Sequence, residues 1–428
     1  MAAAGVERLY AKRLAPNDNS KNQIYLGSDF ETLNILPNRG VHAGGAKILR
    51  AALDFLWMTG DGKLGEARGA QLILYPQYPE VRMSGFLRGC RDAPSTIMTS
   101  RDSGRVLFIG VRGDGKLIGF AAAADSVVAK ELEDRRDFPQ VGVFIEVPLR
   151  AKRDSRLRLL AELRRIHLAG WIDSKRLLAP GEFGPCAASN CGGYTLEAEM
   201  GILPNSLSEP DFEGWELKQF KVARLDHFET GVLTLMTPEP TGGYYRERGV
   251  EAFIRRFGYA DKRGRPDRMN FGGIHRVGAK HAATRLTLTL EGYEKSSGKI
   301  SDVSSGVFLI ADDGEVAAAW KYDDLMTHWN RKHARAAYVP SVRRSDPRLQ
   351  YRYGSSIRLG EGTDFLLFLK ALAKGVVYYD PGIKLERASS TEASTKRRSQ
   401  FRVKSRDLSA LYNRLEALDL AEQPSPVE

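Results

Sequence analysis

The sequence predicts a mainly-β N-terminal part, residues 1–150, joined to a mixed α/β (α+β) part, residues 156–415. In the first part, short apolar runs alternate with Gly, Asp and Pro, which is typical of strands separated by turns. In the second part, apolar residues recur at helical spacing in SRLRLLAELRRIHLAGWI, and Gly170 ends the pattern. The basic segment 148–155 marks a boundary, and residues 416–428 are expected to form a frayed tail.

Individual elements follow from the same patterns. The runs QIYLG, AQLILYP, RVLFIGV, KLIGFAA and VGVFIEVPL are predicted strands, and together they predict a small barrel. An Asp-Gly turn within residues 112–116 predicts that the third and fourth runs form a hairpin. In the second part, helices are predicted over residues 322–335 and in TDFLLFLKALAKG, which ends at Gly375.

The charge of the chain points to a polyanionic partner. The net charge is +11, and residues 331–406 hold 18 Lys and Arg against 6 Asp and Glu, an excess of 12 positive charges. The basic residues of this stretch are interleaved with Tyr, Ser and Gln, a mixture that can contact both phosphates and base edges. A solvated basic face without a ligand is the alternative that charge alone leaves open.

Other classes of protein fit the sequence poorly. No apolar run approaches the roughly 20 residues that span a bilayer, and the N-terminus lacks the layout of a secretory signal, so a cytoplasmic protein without a membrane partner is expected. Cys90, Cys186 and Cys191 make neither a disulfide framework nor a four-ligand zinc site, so they are expected to be ordinary residues. The histidines lack the H-E-x-x-H spacing, and neither a P-loop nor a G-x-S-x-G motif occurs.

The segment GGYTLEAEMGILPNSLSEPDFEGWELKQF, residues 192–220, holds the candidate chemistry. The Glu-Gly pair near its end predicts a turn between the two arms of a hairpin. Because alternate side chains of a strand share a face, Glu216 and Lys218 are expected to point the same way, while their apolar neighbours point into the core. Asp211, across the turn, can approach Glu216.

Two carboxylates and one ammonium on a small surface suit phosphodiester hydrolysis. Asp211 and Glu216 can bind Mg²⁺ as hard oxygen ligands, and the ion can polarise a phosphoryl oxygen. Lys218 can stabilise negative charge on the reacting phosphorus group, and Glu197, on a short helical turn, can supply a third carboxylate. The alternative is an ordinary strand that exposes a Glu–Lys pair, which is common in sheets, and the residues alone leave both interpretations open.

The pattern PD-x4-E-x-K resembles the active site of the PD-(D/E)xK nuclease superfamily. The longer run of E-x-E-x-G-I, EPD and GWE-x-K is similar to the MvaI/BcnI restriction endonucleases and, more distantly, to the mismatch-repair nickase MutH. KHARAAYVP, GEGTDFLLFLKALAKG and VYYDPGIKLE extend this resemblance over residues 156–415. It implies a PD-(D/E)xK nuclease fold and a site-specific type II restriction endonuclease that hydrolyses double-stranded DNA.

The resemblance also implies roles for individual residues. Asp211 and Glu216 match the ligands of Mg²⁺, and Lys218 matches the catalytic lysine. Glu197, rather than Glu199, matches a third acidic residue of the site. Enzymes of this kind act as monomers that nick one strand at a time, and a cognate DNA methyltransferase is expected in a prokaryotic host.

The N-terminal part carries a second resemblance. AKRLAPND, residues 11–18, followed by a strand at 23–26, is similar to the opening of the EcoRII effector domain, a B3-like pseudobarrel. This chain has NSKNQ where that domain usually has a Gly/His-rich loop, and residues 82–91 match its next basic arm. The resemblance implies that this part binds a second copy of the target, which is type IIE behaviour. Both resemblances favour a CC(A/T)GG-type site.

The candidate DNA-contacting residues are basic or amide side chains of the N-terminal arms and of the basic stretch: Lys12, Arg13, Asn17, Lys21, Arg82, Arg88, Arg91, Arg343, Arg344, Arg348, Arg352, Lys396, Arg397, Arg398, Gln400 and Arg402. Two rival functions predict the same basic surface, a MutH-type repair or nicking endonuclease and a non-catalytic DNA-binding regulator. Only the nuclease functions require Asp211, Glu216 and Lys218 to converge.

Overall fold

The structure, a computed structural model, describes residues 1–16, 23–45, 47–135, 137–149, 155–204, 210–329 and 333–422. It divides into two compact units, Met1–Asp154 with Lys299–Val303 and Ser155–Gly298 with Ser304–Glu428. The α-helices are Thr32–Ile35, Ser95–Thr99, Val127–Asp134, Ser155–Leu168, Cys191–Glu199, Tyr244–Phe257, Tyr322–Trp329 and Phe365–Ala373. Short 3-10 helices cover Ala2–Ala4, Phe228–Thr230 and Ser405–Leu411.

The N-terminal unit contains two sheets. The strand order of the seven-stranded sheet is Gln140–Val141, Phe144–Val147, Val6–Arg13, Val106–Arg112, Leu117–Ala122, Phe55–Met58 and Leu64–Glu66. The order of the five-stranded sheet is Gln23–Tyr25, Val81–Ser84, Gln71–Leu74, Leu49–Ala52 and Val41–Ala43. Neither order returns to its first strand within the described residues, so the small barrel predicted from the sequence is not observed there.

All five apolar runs predicted as strands in this unit do form strands. Val106–Arg112 and Leu117–Ala122 pair antiparallel around a turn that contains Gly115, whose φ is +79°, as predicted. The longer strand Val6–Arg13 was not predicted, because it buries four residues in succession, Leu9 to Lys12, instead of alternating. Period-two alternation is the pattern that reveals a half-buried strand, and this strand lacks it.

The second unit is built on a six-stranded sheet. Five of its strands follow in the order Ile172–Asp173, Gln350–Tyr353, Arg335–Arg344, Ser356–Glu361 and Arg414–Asp419. The sixth, Glu216–Lys221, pairs in parallel with Arg335–Arg344. The helix Ser155–Leu168 packs its apolar stripe into the same core as Trp215 and Leu217.

The remaining strands form smaller sheets. One three-stranded sheet has the order Val232–Met236, Phe401–Lys404 and Tyr378–Tyr379, and another has Thr287–Leu290, Gly306–Ile310 and Val316–Lys321. A four-stranded sheet has the order Tyr259–Ala260, Arg268–Gly272, Gly382–Glu386 and Ser394–Lys396. Lys175–Ala179 and Glu182–Pro185 form a hairpin, and two more short strands are Tyr293–Glu294 and Lys299–Ile300.

Two of the three predicted helices are confirmed at both ends. Ser155–Leu168 ends just before Gly170, whose φ is +71°. Phe365–Ala373 begins after Asp364, whose side chain accepts a hydrogen bond from the Leu367 amide at 2.8 Å, as an N-cap does. None of the helices in the described ranges combines the length and the apolarity needed to cross a bilayer.

The third helix and the tail require correction. The helix predicted over residues 322–335 covers Tyr322–Trp329 in the described part, and Arg335 already begins a strand. The frayed tail was predicted to start too early, at residue 416. Arg414–Asp419 pairs with Ser356–Glu361, and Leu420 is buried. Residues 423–428 lie outside the described part of the chain.

Candidate active site

A tight hairpin at residues 211–218, here called the acidic hairpin, carries three of the predicted site residues. Phe212 and Trp215 exchange two backbone hydrogen bonds of 2.9 and 2.8 Å, which closes the predicted turn. Glu213 and Gly214 form the turn with φ of +46° and +89°. Glu213 adopts this left-handed conformation while its carboxylate pairs with Arg158 at 2.5 Å. The sequence therefore predicted the hairpin correctly.

Glu216 and Lys218 lie on the same face of the strand that follows the turn. The Lys218 ammonium donates to Glu216 Oε1 at 2.6 Å, while Trp215 and Leu217 are buried in the core. The Glu216 side chain is only 4% exposed, whereas that of Lys218 is 21% exposed. A carboxylate this deeply buried is tolerable as a charge because it is paired and hydrogen-bonded.

Asp211 is fixed against the same strand from the other arm of the hairpin. Its Oδ2 accepts a hydrogen bond from the Leu217 amide at 2.9 Å, at the residue between Glu216 and Lys218. The half-buried carboxylate is thereby held beside the ion pair. The structure thus places Asp211, Glu216 and Lys218 together on one short hairpin.

Two buried tyrosines are neighbours of this face, and the strand pairing puts Tyr338 on the same side of the sheet as Glu216 and Lys218. Tyr338 stands opposite Lys218 in the parallel pairing, and its hydroxyl is 2.8 Å from that of Tyr412. Gly360 makes room for the Tyr412 ring, because a Cβ there would lie 2.7 Å from ring carbons. Burial, and in smaller part the negative charge of Glu216, raise the pKa of Tyr338, so this hydroxyl stays neutral. No local pattern in the chain indicated these tyrosines, since strand register is a long-range property.

Glu197 lies on the helix Cys191–Glu199, which is longer than the predicted single turn. Gly192 lets this helix approach the strand, because a Cβ there would be 2.6 Å from Gln219 Oε1. Tyr353 also donates to the Gly192 carbonyl at 2.8 Å. Among the residues that the structure describes, no three Asp, Glu, His or Cys side chains are close enough to share a metal, so Glu197 is not grouped with Asp211 and Glu216.

The neighbouring Glu199 has a structural role. Its carboxylate pairs with Lys175 at 2.5 Å and with Arg165 at 3.4 Å, and Arg165 also donates to the Glu199 carbonyl. These contacts hold the end of the helix. Glu197 remains the predicted acidic residue of the site.

Cys186 and Cys191 form a disulfide, with Cα atoms 5.7 Å apart. This corrects the prediction that they are ordinary residues of a Gly-rich loop. The spacing alone did not reveal the bond, because it depends on how the chain turns between strand Glu182–Pro185 and helix Cys191–Glu199. The bridge occupies the sulfur atoms that a zinc site would need.

The candidate DNA-contacting residues of the N-terminal unit are only partly at the surface. Lys12 was predicted wrongly: it is buried in the strand Val6–Arg13, where its ammonium donates to the Arg13 carbonyl at 3.2 Å. Arg13, Arg88 and Arg91 are exposed, and Arg82 is half-buried. Asn17 and Lys21 lie outside the described residues.

The candidates between residues 343 and 352 lie on exposed strand ends and the turn between them. Arg343, Arg344, Arg348 and Arg352 are all exposed. Arg344 lies over the Trp171 ring at 4.5 Å, and Arg348 pairs with Asp173 at 2.9 Å. These arginines form a basic surface, and contacts within the protein hold two of their side chains in place.

The segment 396–402 divides into exposed and structural residues. Lys396, Arg397 and Arg398 are exposed. Gln400, in contrast, is buried, with its amide donating to the Asp380 carbonyl at 2.8 Å and its Oε1 accepting from Thr234 at 3.3 Å. Its prediction as a DNA contact is therefore not supported by its position. Arg402 is held by Asp380 at 2.7 Å.

Most of the second unit matches a known family of proteins. Residues 160–412 match the model of the MvaI/BcnI restriction endonuclease family, which makes the protein a site-specific DNA endonuclease, a hydrolase of restriction type. The match covers more than half of the chain. The chain belongs to the MvaI/BcnI restriction endonuclease family.

Solved structures of restriction endonuclease MvaI are among those similar to the chain. One is a restriction endonuclease MvaI–cognate DNA substrate complex, with 17% identity and a TM-score of 0.45, covering 61% of this chain and 97% of that one. The other is MvaI in the absence of DNA, with 14% identity and a TM-score of 0.34, covering 63% and 100%. No curated protein matches the chain.

Proposed function

We propose that this endonuclease cuts double-stranded DNA with Mg²⁺ held by Asp211 and Glu216 and with Lys218 at the reacting phosphate. The observation that best supports this proposal is the 2.6 Å contact between Lys218 and the buried Glu216. Asp211 lies beside this pair, held by a hydrogen bond from the Leu217 amide. The contact lies inside the stretch that matches the restriction endonuclease family. Glu197 is proposed as a third acidic residue on the helix that packs nearby.

The donor set fits a hard divalent cation. Carboxylate oxygens are the ligands that Mg²⁺ prefers, and two of them on one rigid hairpin leave coordination positions for water and phosphate. When bound, the ion polarises the phosphoryl oxygen and lowers the pKa of a water molecule. The mostly buried setting of Glu216 strengthens electrostatic interactions at the site.

The residues of the chain then have distinct tasks. Glu216 and Asp211 carry negative charge, which repels the phosphates of the DNA backbone. A cation bound between these carboxylates and a phosphate would remove that repulsion. Lys218 exchanges its Glu216 partner for a phosphate oxygen and stabilises the charge that develops there. The hairpin keeps these groups within one rigid turn, so little reorganisation is needed on substrate binding.

Cleavage by variants tests this assignment. Lys218→Ala should lower the rate of plasmid cleavage by orders of magnitude, because the charge at the phosphate is lost. The matched control is Lys221→Ala, which removes an exposed lysine from the same strand and should cut normally. Mapping the ends of the products gives the target sequence and the cut positions. Near wild-type cleavage by Lys218→Ala would contradict the assignment.

The remaining features rest on the resemblances of the sequence. We propose a CC(A/T)GG-type target, a monomer that nicks one strand at a time, and a B3-like N-terminal unit that binds a second copy of the target. A cognate DNA methyltransferase would protect the host. The family region covers residues 160–412 and leaves the N-terminal unit outside it, which supports a separate, regulatory task for that unit.

A comparison of plasmids tests the regulatory task. A plasmid with two target sites should be cut several-fold faster than a plasmid with one, because the second site is held at high effective concentration. Coupling between two sites typically amounts to about 1–3 kcal/mol. A short duplex carrying the target should restore cleavage of the one-site plasmid, and nicked circles should precede linear DNA. Equal rates on both plasmids, without rescue, would rule out the regulatory task.

A further inference from the structure

The five-stranded sheet of the N-terminal unit has one apolar and one polar face. Strand pairing aligns Ile24, Met83, Leu72, Ala51 and Val41 in one row across all five strands, and every one of them is buried. The rows on either side face the other way, because side chains alternate along a strand. Two rows therefore make up a second face with a different composition.

This second face, here called the polar face, carries basic and amide side chains in register. One row is Gln23, Ser84, Gln71 and Ala52, and the next is Tyr25, Arg82, Ile73, Arg50 and His42. Of these nine residues only Ile73 is buried. A sheet face with this composition is not a core surface, and it suits a polar ligand.

A cavity of about 550 Å³ lies at one end of the polar face. Its lining includes Gln71 and Ser84 from the face together with Arg68 and Arg88. Gly85, with φ of +70°, allows the backbone to close the cavity, since a Cβ there would lie 1.9 Å from the Gly69 carbonyl oxygen. The cavity is thus shaped by tightly packed backbone and lined by hydrogen-bonding side chains.

The charges of the polar face and its cavity favour an anion. Arg50 and Arg82 of the face and Arg68 and Arg88 of the cavity carry positive charge. Among the described residues, the acids paired with them are Glu66, which lies 3.1 Å from Arg68, and Glu80, in contact with Arg82. The face therefore keeps a positive excess. Arginine forms bidentate hydrogen bonds with phosphate and with the guanine edge, which suits a nucleic acid better than an isolated anion.

Two side chains near the centre of the face hold each other in place. Arg50 donates through Nη1 to Gln71 Oε1 at 3.1 Å, and this contact fixes the orientation of both side chains. They come from neighbouring central strands, Leu49–Ala52 and Gln71–Leu74. Strands lie about 4.8 Å apart, so only two of them fit a major groove of about 12 Å, and the flanking strands meet the phosphate backbone.

We infer that the polar face is a docking surface for duplex DNA, with Arg50 and Gln71 at base edges and Arg68 and Arg88 at backbone phosphates. The inference rests on the proposed second DNA site and names its contacts. Arginine at guanine and glutamine at adenine are common partners, and a CC(A/T)GG duplex offers both bases.

Binding stoichiometry of the full chain tests the surface separately from regulation. In the cleavage-deficient Lys218→Ala chain, native mass spectrometry should find two target duplexes per protein. Adding Arg50→Ala and Gln71→Ala should reduce this to one. The matched control adds Arg112→Ala, which removes an arginine from the seven-stranded sheet, and it should still bind two. Melting temperatures of the variants report that each chain is folded.

A conservative variant separates base contacts from charge. Arg50→Lys keeps the charge, so it should still bind two duplexes. Its preference for the target over a scrambled duplex at the second site should fall roughly 5- to 150-fold, the loss expected for one bidentate base contact. Arg88→Ala should weaken binding of the target duplex and of the scrambled duplex equally, because a phosphate contact carries no sequence information.

The outcomes distinguish the two proposals. Two duplexes on the parent chain and one on the Arg50→Ala, Gln71→Ala chain support the docking surface, even if two-site plasmids show no rate advantage and the regulatory proposal fails. Two duplexes on both chains overturn the surface while leaving a second site elsewhere. One duplex on the parent chain overturns both.

Discussion

Two buried polar clusters of the second unit treat ionisable groups in opposite ways. On the acidic hairpin, Glu216 is kept next to the partly exposed Lys218, an arrangement that suits two charged groups. Around His275, every ring nitrogen has a neutral partner: Nδ1 contacts the Gly273 carbonyl and Nε2 contacts the Thr284 hydroxyl, both at 2.9 Å. Lys218 can exchange its partner Glu216 for a ligand, whereas both ring nitrogens of His275 are already bonded to groups of the protein.

The hydrogen bonds of His275 also show which of its ring nitrogens carries the proton. A carbonyl oxygen can only accept, so Nδ1 donates to Gly273 and Nε2 accepts from Thr284, which is one neutral tautomer. The ring stacks on His281 with centroids 4.2 Å apart. Burial, together with the neighbouring His281, lowers the pKa of His275 to about 4. The first cluster is the one proposed for catalysis, whereas the second uses buried polar groups for structure.

The largest expected effect comes from a substitution in the proposed catalytic cluster that keeps its hydrogen bonds. Asp211→Asn keeps an acceptor for the Leu217 amide but removes the negative charge. Cleavage should fall by orders of magnitude, while the free energy of unfolding in urea changes by less than about 1 kcal/mol. Near wild-type cleavage would show that Asp211 serves the hairpin alone. Asp226→Asn, at an exposed ion pair, is the matched control.

A smaller effect is expected on the structural cluster. His275→Ala leaves Thr284 and the Gly273 carbonyl without their buried partner and opens a cavity, so unfolding should become easier by about 3 kcal/mol. His227→Ala, at a half-exposed histidine, should change stability by less than about 0.5 kcal/mol. Equal effects of the two substitutions in urea titrations would remove the distinction between the clusters.

The smallest effect is a dependence of stability on pH. The pKa of His275 is about 4 in the folded chain and near 6.5 when unfolded, so the unfolded chain binds a proton that the folded chain does not. Stability is fully present above pH 6.5 and is lost as the pH falls toward 4. Between pH 7.5 and 5 the loss should be about 2 kcal/mol, at about 1.4 kcal/mol per pKa unit. Urea titrations of His275→Asn should lack this part of the pH dependence.

The sequence predicted what local patterns can determine. The acidic hairpin is defined by a Glu-Gly turn and by alternation, and the helix Phe365–Ala373 by its Asp364 cap and Gly375. The hairpin and the helix each lie within a few residues of the sequence patterns that predict them. The positions of Glu216 and Lys218 on one face follow from the same short-range geometry.

The sequence could not predict long-range partners. Gln400 looked like a groove-contacting amide, but Asp380 and Thr234 use its hydrogen-bonding groups, and neither is adjacent in sequence. Lys12 looked exposed, although the pairing of Val6–Arg13 with strands on both sides buries it. The polar face likewise depends on the register of five strands, so its Arg50–Gln71 pair was not visible in the chain.

The parallel pairing of the strand Glu216–Lys221 also determines when the proposed site can be completed during synthesis. Asp211, Glu216 and Lys218 emerge from the ribosome together, but Tyr338, the residue opposite Lys218, follows 120 positions later, and Tyr412 later still. Domains fold as their residues emerge, so a nascent or truncated chain lacks the buried tyrosine pair beside Glu216 and Lys218 until nearly all of it has been made. Premature termination before residue 412 therefore leaves Tyr338 without its hydroxyl partner and the proposed site without one of its buried neighbours.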